Sequence, residues 1–372
     1  IIRVPAFRAT FVMILAVVVM AGYAGGSWYA FAAQRTLLDP TFPILAAVLT
    51  LMLMASLNYL REERMRRQIR SAFGQYVSPD LVDQLSDNPD ALTLGGERRE
   101  LTLLFSDVRG FTTIAESYRD DPEGLTLLMN RFLTALSNAI LDERGTIDKF
   151  MGDAVMAFWN APLDAPDHAA AACRAALAMR ADVAALNARR AREAAEAGGE
   201  ALPIDVGIGL NTGDCVVGNM GSDTRFDYTA LGDAVNLASR LEGQSKPYGL
   251  GIILGSATAR AVEGRFATIE LDLLRVKGKR EPERIFGLLG DAAMRDRPEF
   301  ETLAEANAAM RTAYAAQDWD AAEAALDRLE AAGGPLDLDL SGYAALYRRR
   351  LVTLRADPPG ADWDGVHVAT DK

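Results

Sequence analysis

The chain has 372 residues, a formal net charge of −12, two cysteines and two histidines. That length fits two or three domains; two cysteines exclude a disulfide framework and a Cys-based zinc site, and two histidines argue against His-rich metal sites and most Ser-His or Cys-His catalysis. Residues 1–70 hold eight arginines against three acids, a net +5 that leaves −17 for the rest, and a part that acidic argues against a nucleic-acid partner.

In chain order, two uncharged stretches come first, residues 9–33 and 40–60. Each is long enough to cross a hydrocarbon core of about 30 Å as a helix, and Trp28, Tyr29 and Tyr59 suit the interfacial belt. Arg3, Arg8 and the run "REERMRRQIR" predict that both ends of this pair lie inside the cell. The expectation is a multi-pass protein of the inner or plasma membrane, in contact with lipid, whose remaining residues are cytoplasmic. Ile1 fits a chain cut from a longer parent with further spans or an outside sensor.

Residues 61–96 read as a signalling helix and linker. Leu60, Met65, Ile69, Ala72, Phe73 and Tyr76 form one apolar stripe, and Ser78-Pro79 marks a break. Residues 97–290 then alternate: a strand over 99–107, a helix over 122–142, a hairpin over 145–160 turning near Met151-Gly152-Asp153, and an Ala-rich helix over 165–197. A strand pair over 203–221 turns at Thr212-Gly213-Asp214. A helix opens at 232, and strands near 250–254, 266–276 and 284–289 close the unit. This order predicts an α+β fold with helices on one face of an antiparallel sheet. Residues 291–372 read as a helical C-terminal region, tetratricopeptide-like, with one helix opening at Asp318 and an irregular tail.

Two carboxylates stand out. Asp107 ends the first strand and Asp153 sits in the next hairpin, and adjacent carboxylates repel unless a cation lies between them. Oxygen ligands of this kind suit Mg²⁺, and the backbone amides around Gly110, Phe111 and Thr112 could cradle a phosphate.

"FSDVRGFT", "DKFMGDAVMAFW", "GIGLNTGDCVVGNMGSDTRFDYTALGDAVNLASRLE" and "VKGKREP" together resemble the class III nucleotidyl cyclases and occur in that family's order. The resemblance implies a ferredoxin-like cyclase domain that works as a homodimer with sites shared between chains. It implies two metal ions per site, Mg²⁺ or Mn²⁺, on Asp107 and Asp153 with the Val108 carbonyl. It also implies that Lys149 selects the purine with Thr229 as its partner, Asn236 orients the ribose, Arg240 stabilises phosphate charge, and Lys277 and Arg225 bind phosphates. Spans, helix, cyclase and a short helical tail resemble membrane cyclases with a CHASE-type sensor.

The chemistry asks for the same residue types. Lys149 can donate to adenine N1 and Thr229 can accept from the amino group, whereas guanine would face Lys149 with an N1–H donor. The expected activity is an adenylate cyclase acting in signal transduction, making cyclic AMP and pyrophosphate from ATP. The alternatives are a guanylate cyclase and a catalytically silent receptor or scaffold. Asp205 and Asp227 read as structural, and Glu242 as a surface residue.

Overall fold

The computed structural model describes residues 3–36, 39, 41–73, 96–221, 226–275, 281–360, 363 and 365–368. The chain divides into two compact units, residues 1–72 and 73–372. The first holds α1 (Arg3–Gln34) and α2 (Thr41–Phe73). Asp39 Oδ1 accepts from Thr41 N at 2.9 Å and closes the start of α2. Within α2, Thr41–Arg61 is long and apolar enough to cross a membrane, with a mean hydropathy of 1.8 and none of it buried. The helix expected to leave the membrane continues α2 through Phe73, and the break at Ser78-Pro79 lies outside the described residues.

The second unit is built on β1 (Glu97–Val108), which is followed by α3 (Phe111–Ser117) and α4 (Pro122–Asp142). Next come β2 (Thr146–Met151), β3 (Ala154–Trp159) and α5 (His168–Glu196). β1 lies between β3 and β4 (Val206–Gly221), antiparallel to both, so the order β2-β3-β1-β4 is that of a ferredoxin-like sheet. Successive residues of a strand face opposite sides. Leu104 and Val108 therefore join one core with α4 and α5, and Leu101, Leu103 and Phe105 join another. Asp107 falls on the second face.

Three expectations change here. The helices are not confined to one face, because α6 (Asp233–Gln244) lies on the Asp107 side. A Cβ on Gly209 would sit 2.2 Å from the Glu242 nitrogen and 2.4 Å from the Ala238 oxygen, so only glycine lets α6 approach β4 this closely. Thr212-Gly213-Asp214 is no turn. β4 runs unbroken beside β1, with Leu101 opposite Gly213, and a Cβ on Gly213 would meet Ala234 at 3.0 Å. That glycine serves helix packing instead of chain reversal. The sheet is also mixed: β6 (Ile252–Gly255) pairs with β4 in parallel. A strand absent from the sequence reading, β5 (Phe226–Leu231), extends β4.

α7 (Ser256–Ala261), β7 (Ala267–Arg275) and β8 (Glu283–Gly290) complete the sheet region. The C-terminal helices are α8 (Ala292–Arg295), α9 (Pro298–Ala315), α10 (Trp319–Gly333) and α11 (Ser341–Ala356). Asp318 caps α10 as expected, accepting from Ala321 N at 3.0 Å. These helices share one core with the sheet: Met310, Leu326 and Tyr347 pack in the same cluster as Ile269, Leu271 and Ile285. The tail is not wholly irregular, because β9 (His367–Val368) pairs in parallel with β7.

At the centre of this contact Asp272 is fully buried. It accepts from Arg311 at 3.2 Å, Arg350 at 2.5 Å and the Tyr248 hydroxyl at 2.5 Å. Removing one member of such a cluster strands buried charge. Asp272→Ala is expected to lower the unfolding free energy by about 3–5 kcal/mol. Urea denaturation checks it, and an unchanged midpoint contradicts it.

Candidate active site

The register explains how Asp107 and Asp153 meet. Ser106 lies opposite Val155 at the start of β3, and the β2–β3 hairpin turns on Gly152-Asp153, with Gly152 at φ 70°. The turn therefore stands beside the end of β1. Burial, then the Asp153 charge, then hydrogen bonding with Asp153 push the Asp107 pKa up to about 6, against the pull of the Val108 amide, which donates to Asp107 Oδ1 at 3.1 Å. Such a pair fits a divalent cation: two hard oxygen donors at a half-buried site. Among the described residues no three His, Cys, Asp or Glu side chains form a ready metal cage. Two carboxylates are nonetheless what Mg²⁺ commonly takes from protein, leaving other positions to water and phosphate oxygens.

A third carboxylate stands near. Glu242 is half-buried, not on the open surface as its sequence neighbours suggest. Burial, then the charges of Asp107 and Asp153, raise its pKa to about 7, with Arg109 opposing. A Cβ on Gly207, opposite Asp107 in the ladder, would lie 2.7 Å from Glu242 Oε1. Glycines at alternate positions of β4 were the available signal that a helix would press here.

Arg109 fixes the turn that follows Asp107. Its amide donates to the Asp205 carbonyl at 2.9 Å, and its guanidinium donates to Asp205 at 2.8 Å and to the Leu250 carbonyl at 2.6 Å. Asp205 is thus structural. Gly110 then adopts φ 68°, a left-handed conformation that glycine takes without strain, and starts α3. Phe111 packs against the core and Thr112 is exposed.

Lys149 and Thr229 come together through a residue the sequence reading passed over. Asp148 is 2% exposed, accepts from the Thr229 hydroxyl at 2.5 Å, and lies 3.2 Å from Lys149 Nζ. Its pKa is raised by burial, with Thr229 and Lys149 pulling the other way.

Asn236 and Arg240 are one turn apart on α6, on the face away from buried Leu241 and Ala238. Asn236 is exposed and Arg240 half-exposed, and among the described residues neither side chain has a hydrogen-bond or ion-pair partner. A single chain therefore holds the Asp107–Asp153 carboxylates, the Lys149–Asp148–Thr229 cluster and the outward pair on α6. Arg225 and Lys277 lie outside the described residues. Two cavities, of about 480 and 750 Å³, are lined by α4 and α5 and by β7 and α9 residues, and neither includes Asp107, Lys149 or Arg240.

Residues 96–289 match the family model described as the adenylate and guanylate cyclase catalytic domain. Adenylate cyclase 1 of Rhizobium meliloti (strain 1021) is 34% identical over 219 residues, covering 59% of this chain and 32% of that protein. Adenylate cyclase of Anabaena cylindrica is 31% identical over 240 residues, covering 63% and 45%. The chain thus spans less than half the length of these relatives. Among solved structures, the adenylyl cyclase CyaB from P. aeruginosa is 38% identical, with 53% of this chain and 97% of that one covered and a TM-score of 0.48. The guanylyl cyclase Cya2 is 32% identical, with 53% and 95% covered and a TM-score of 0.46.

Proposed function

We propose that this chain, which belongs to the adenylate and guanylate cyclase catalytic domain family, makes 3′,5′-cyclic AMP and pyrophosphate from ATP at sites shared between two copies. The observation that carries the reading is the Asp107–Asp153 pair, whose mutual repulsion suits a cation-dependent phosphoryl transfer.

Asp107, Asp153 and the Val108 carbonyl would hold Mg²⁺ or Mn²⁺, two ions per site. Bound there, the ions lower the pKa of an attacking hydroxyl and offset charge on phosphate oxygens. The chain's own residues do the rest. The amides of Phe111 and Thr112, at the start of α3, face phosphate oxygens. Lys149 of the second copy donates to adenine N1, and Thr229 of that copy accepts from the adenine amino group. Asn236 of the second copy orients the ribose. Arg240 of that copy, always protonated and bidentate, stabilises charge that grows on the α-phosphate. Lys277 and Arg225 add phosphate contacts. The ribose 3′-hydroxyl gives up its proton to solvent, its oxygen forms a bond to the α-phosphorus, the bond from that phosphorus to the bridging oxygen breaks, and pyrophosphate leaves.

The adenine assignment rests on Lys149: guanine would turn an N1–H donor toward that ammonium. A silent scaffold would have no need of two repelling carboxylates in a chain that also carries a base-reading lysine. The anchor rests on α2. Leu45, Leu49 and Leu53 are each more than 60% exposed, an apolar surface that lipid would cover. On this reading α1 and α2 are helices of the inner or plasma membrane and the cyclase domain is cytoplasmic.

The test uses the full chain in membranes with Mg²⁺ or Mn²⁺ and labelled ATP. Cyclic AMP and pyrophosphate are expected in equal amounts, and both are lost when a chelator removes the metal. Neither product forming, or formation undisturbed by chelation, counts against the proposal.

A further inference from the structure

Asp148 occupies an irregular point in β2. Ile147 lies opposite Ala157 and Lys149 opposite Met156, so Asp148 is the extra residue of a β-bulge. In an unbroken strand, neighbouring side chains point to opposite faces. Here they meet, with Asp148 Oδ1 3.2 Å from Lys149 Nζ; the Asp148 side chain is fully buried and that of Lys149 is 40% exposed. The other oxygen, Oδ2, accepts from Thr229 Oγ1 at 2.5 Å and, more weakly, from Ala230 N at 3.4 Å. Among the described residues, every polar contact of this carboxylate is thus with Lys149, Thr229 or the residue after Thr229.

A buried carboxylate is unfavourable unless it is paired, and an apolar residue would fill the same space without that penalty. The chemistry of the hydroxyl supplies a use. Thr229 Oγ1 has one proton and two lone pairs. With the lysine beside it, Asp148 is an acceptor, and the hydroxyl proton is directed at Oδ2. What Oγ1 can then offer a ligand is a lone pair. The adenine amino group is a donor and suits it; guanine O6 is an acceptor and does not. A threonine left to rotate could serve either base.

We propose that Asp148 is a specificity-determining positioning residue, which fixes Thr229 as a hydrogen-bond acceptor and holds Lys149 as the donor beside it, so that the pair reads adenine over guanine. The inference rests on the adenylate cyclase reading above and adds to it the group that makes a threonine, which alone is ambiguous, selective.

The test compares kcat/KM for ATP and for GTP in the full chain and in two variants, Asp148→Asn and Thr229→Val. An asparagine amide can donate to Thr229, which frees the hydroxyl proton to face the base, and it no longer pairs with the lysine charge. The ATP-to-GTP ratio is expected to fall about tenfold in Asp148→Asn, with GTP turnover retained or raised. A purely structural role would lower both nucleotides in proportion, so an unchanged ratio overturns the proposal. Should Asp148→Asn fail to fold by circular dichroism, Thr229→Val decides. That variant keeps the carboxylate beside Lys149 and removes the hydroxyl that would accept from the base, and an unchanged ratio there is equally fatal. The two readings fail separately. A wild-type protein that yields no cyclic AMP sinks the adenylate cyclase assignment, whereas cyclic AMP synthesis with unmoved ratios sinks only the role of Asp148.

Discussion

Mixing Asp107→Ala and Arg240→Ala proteins, each inactive alone, is expected to restore cyclic AMP synthesis to about a quarter of the wild-type level. In a two-fold symmetric dimer half of the random pairs are mixed, and each mixed pair regenerates one intact site of its two. The reasoning starts from α6. Its inner face presses on β4 through Gly209 and brings Glu242 toward Asp107, while Asn236 and Arg240 turn outward. One helix cannot present both faces to the same substrate, so Arg240 is free to serve the carboxylates of another copy. Equal dimer formation, verified by affinity tags of two kinds, with no recovered activity would contradict shared sites.

The second large effect separates stability from function. Asp153→Asn is expected to reduce cyclase activity at least about 100-fold. In metal-free buffer the same change is expected to stabilise the protein by about 1 kcal/mol at neutral pH, after allowance for solvent screening at a half-exposed pair. The sign follows from Asp107. Its folded pKa, about 6, lies above the ordinary carboxylate value of 3.8, so the folded state holds that proton more tightly than the unfolded chain does. The pair is therefore best tolerated at low pH, and its penalty sets in as pH rises between those two values. The gain from Asp153→Asn should grow over the same interval. Denaturant midpoints measured from pH 4 to pH 8 check it, and a variant no more stable than wild type at pH 7 would contradict the repulsion.

Much of the candidate site is legible in the sequence, because its pieces lie in short motifs with fixed order. Asp107 at a strand end and Asp153 in a hairpin turn could be brought together from a ferredoxin-like order alone. Three features could not. Asp148 is buried through a bulge, and a bulge suspends the period-two rule by which strand faces are read. Glu242 stands beside Arg240 and reads as solvated. It is drawn inward because Gly207 and Gly209, some thirty residues earlier, leave room for the helix. Thr212-Gly213-Asp214 carries turn chemistry, yet the glycine was needed against Ala234. Each case is a tertiary contact overriding a local signal.

The C-terminal helices are a further instance. Their apolar periodicity was readable, but their joint core with β7 and β8 depends on Asp272, Arg311 and Arg350 meeting across 78 residues of chain. No local pattern announces such a cluster.

The central claim is that this site turns ATP into cyclic AMP, and substrate competition tests it most directly. The full chain in membranes is given ATP and GTP at equal concentration with Mg²⁺ or Mn²⁺, and the cyclic products are separated and quantified. Cyclic AMP as the dominant product is the predicted result. Cyclic GMP as the dominant product, or neither nucleotide cyclised, would contradict the account.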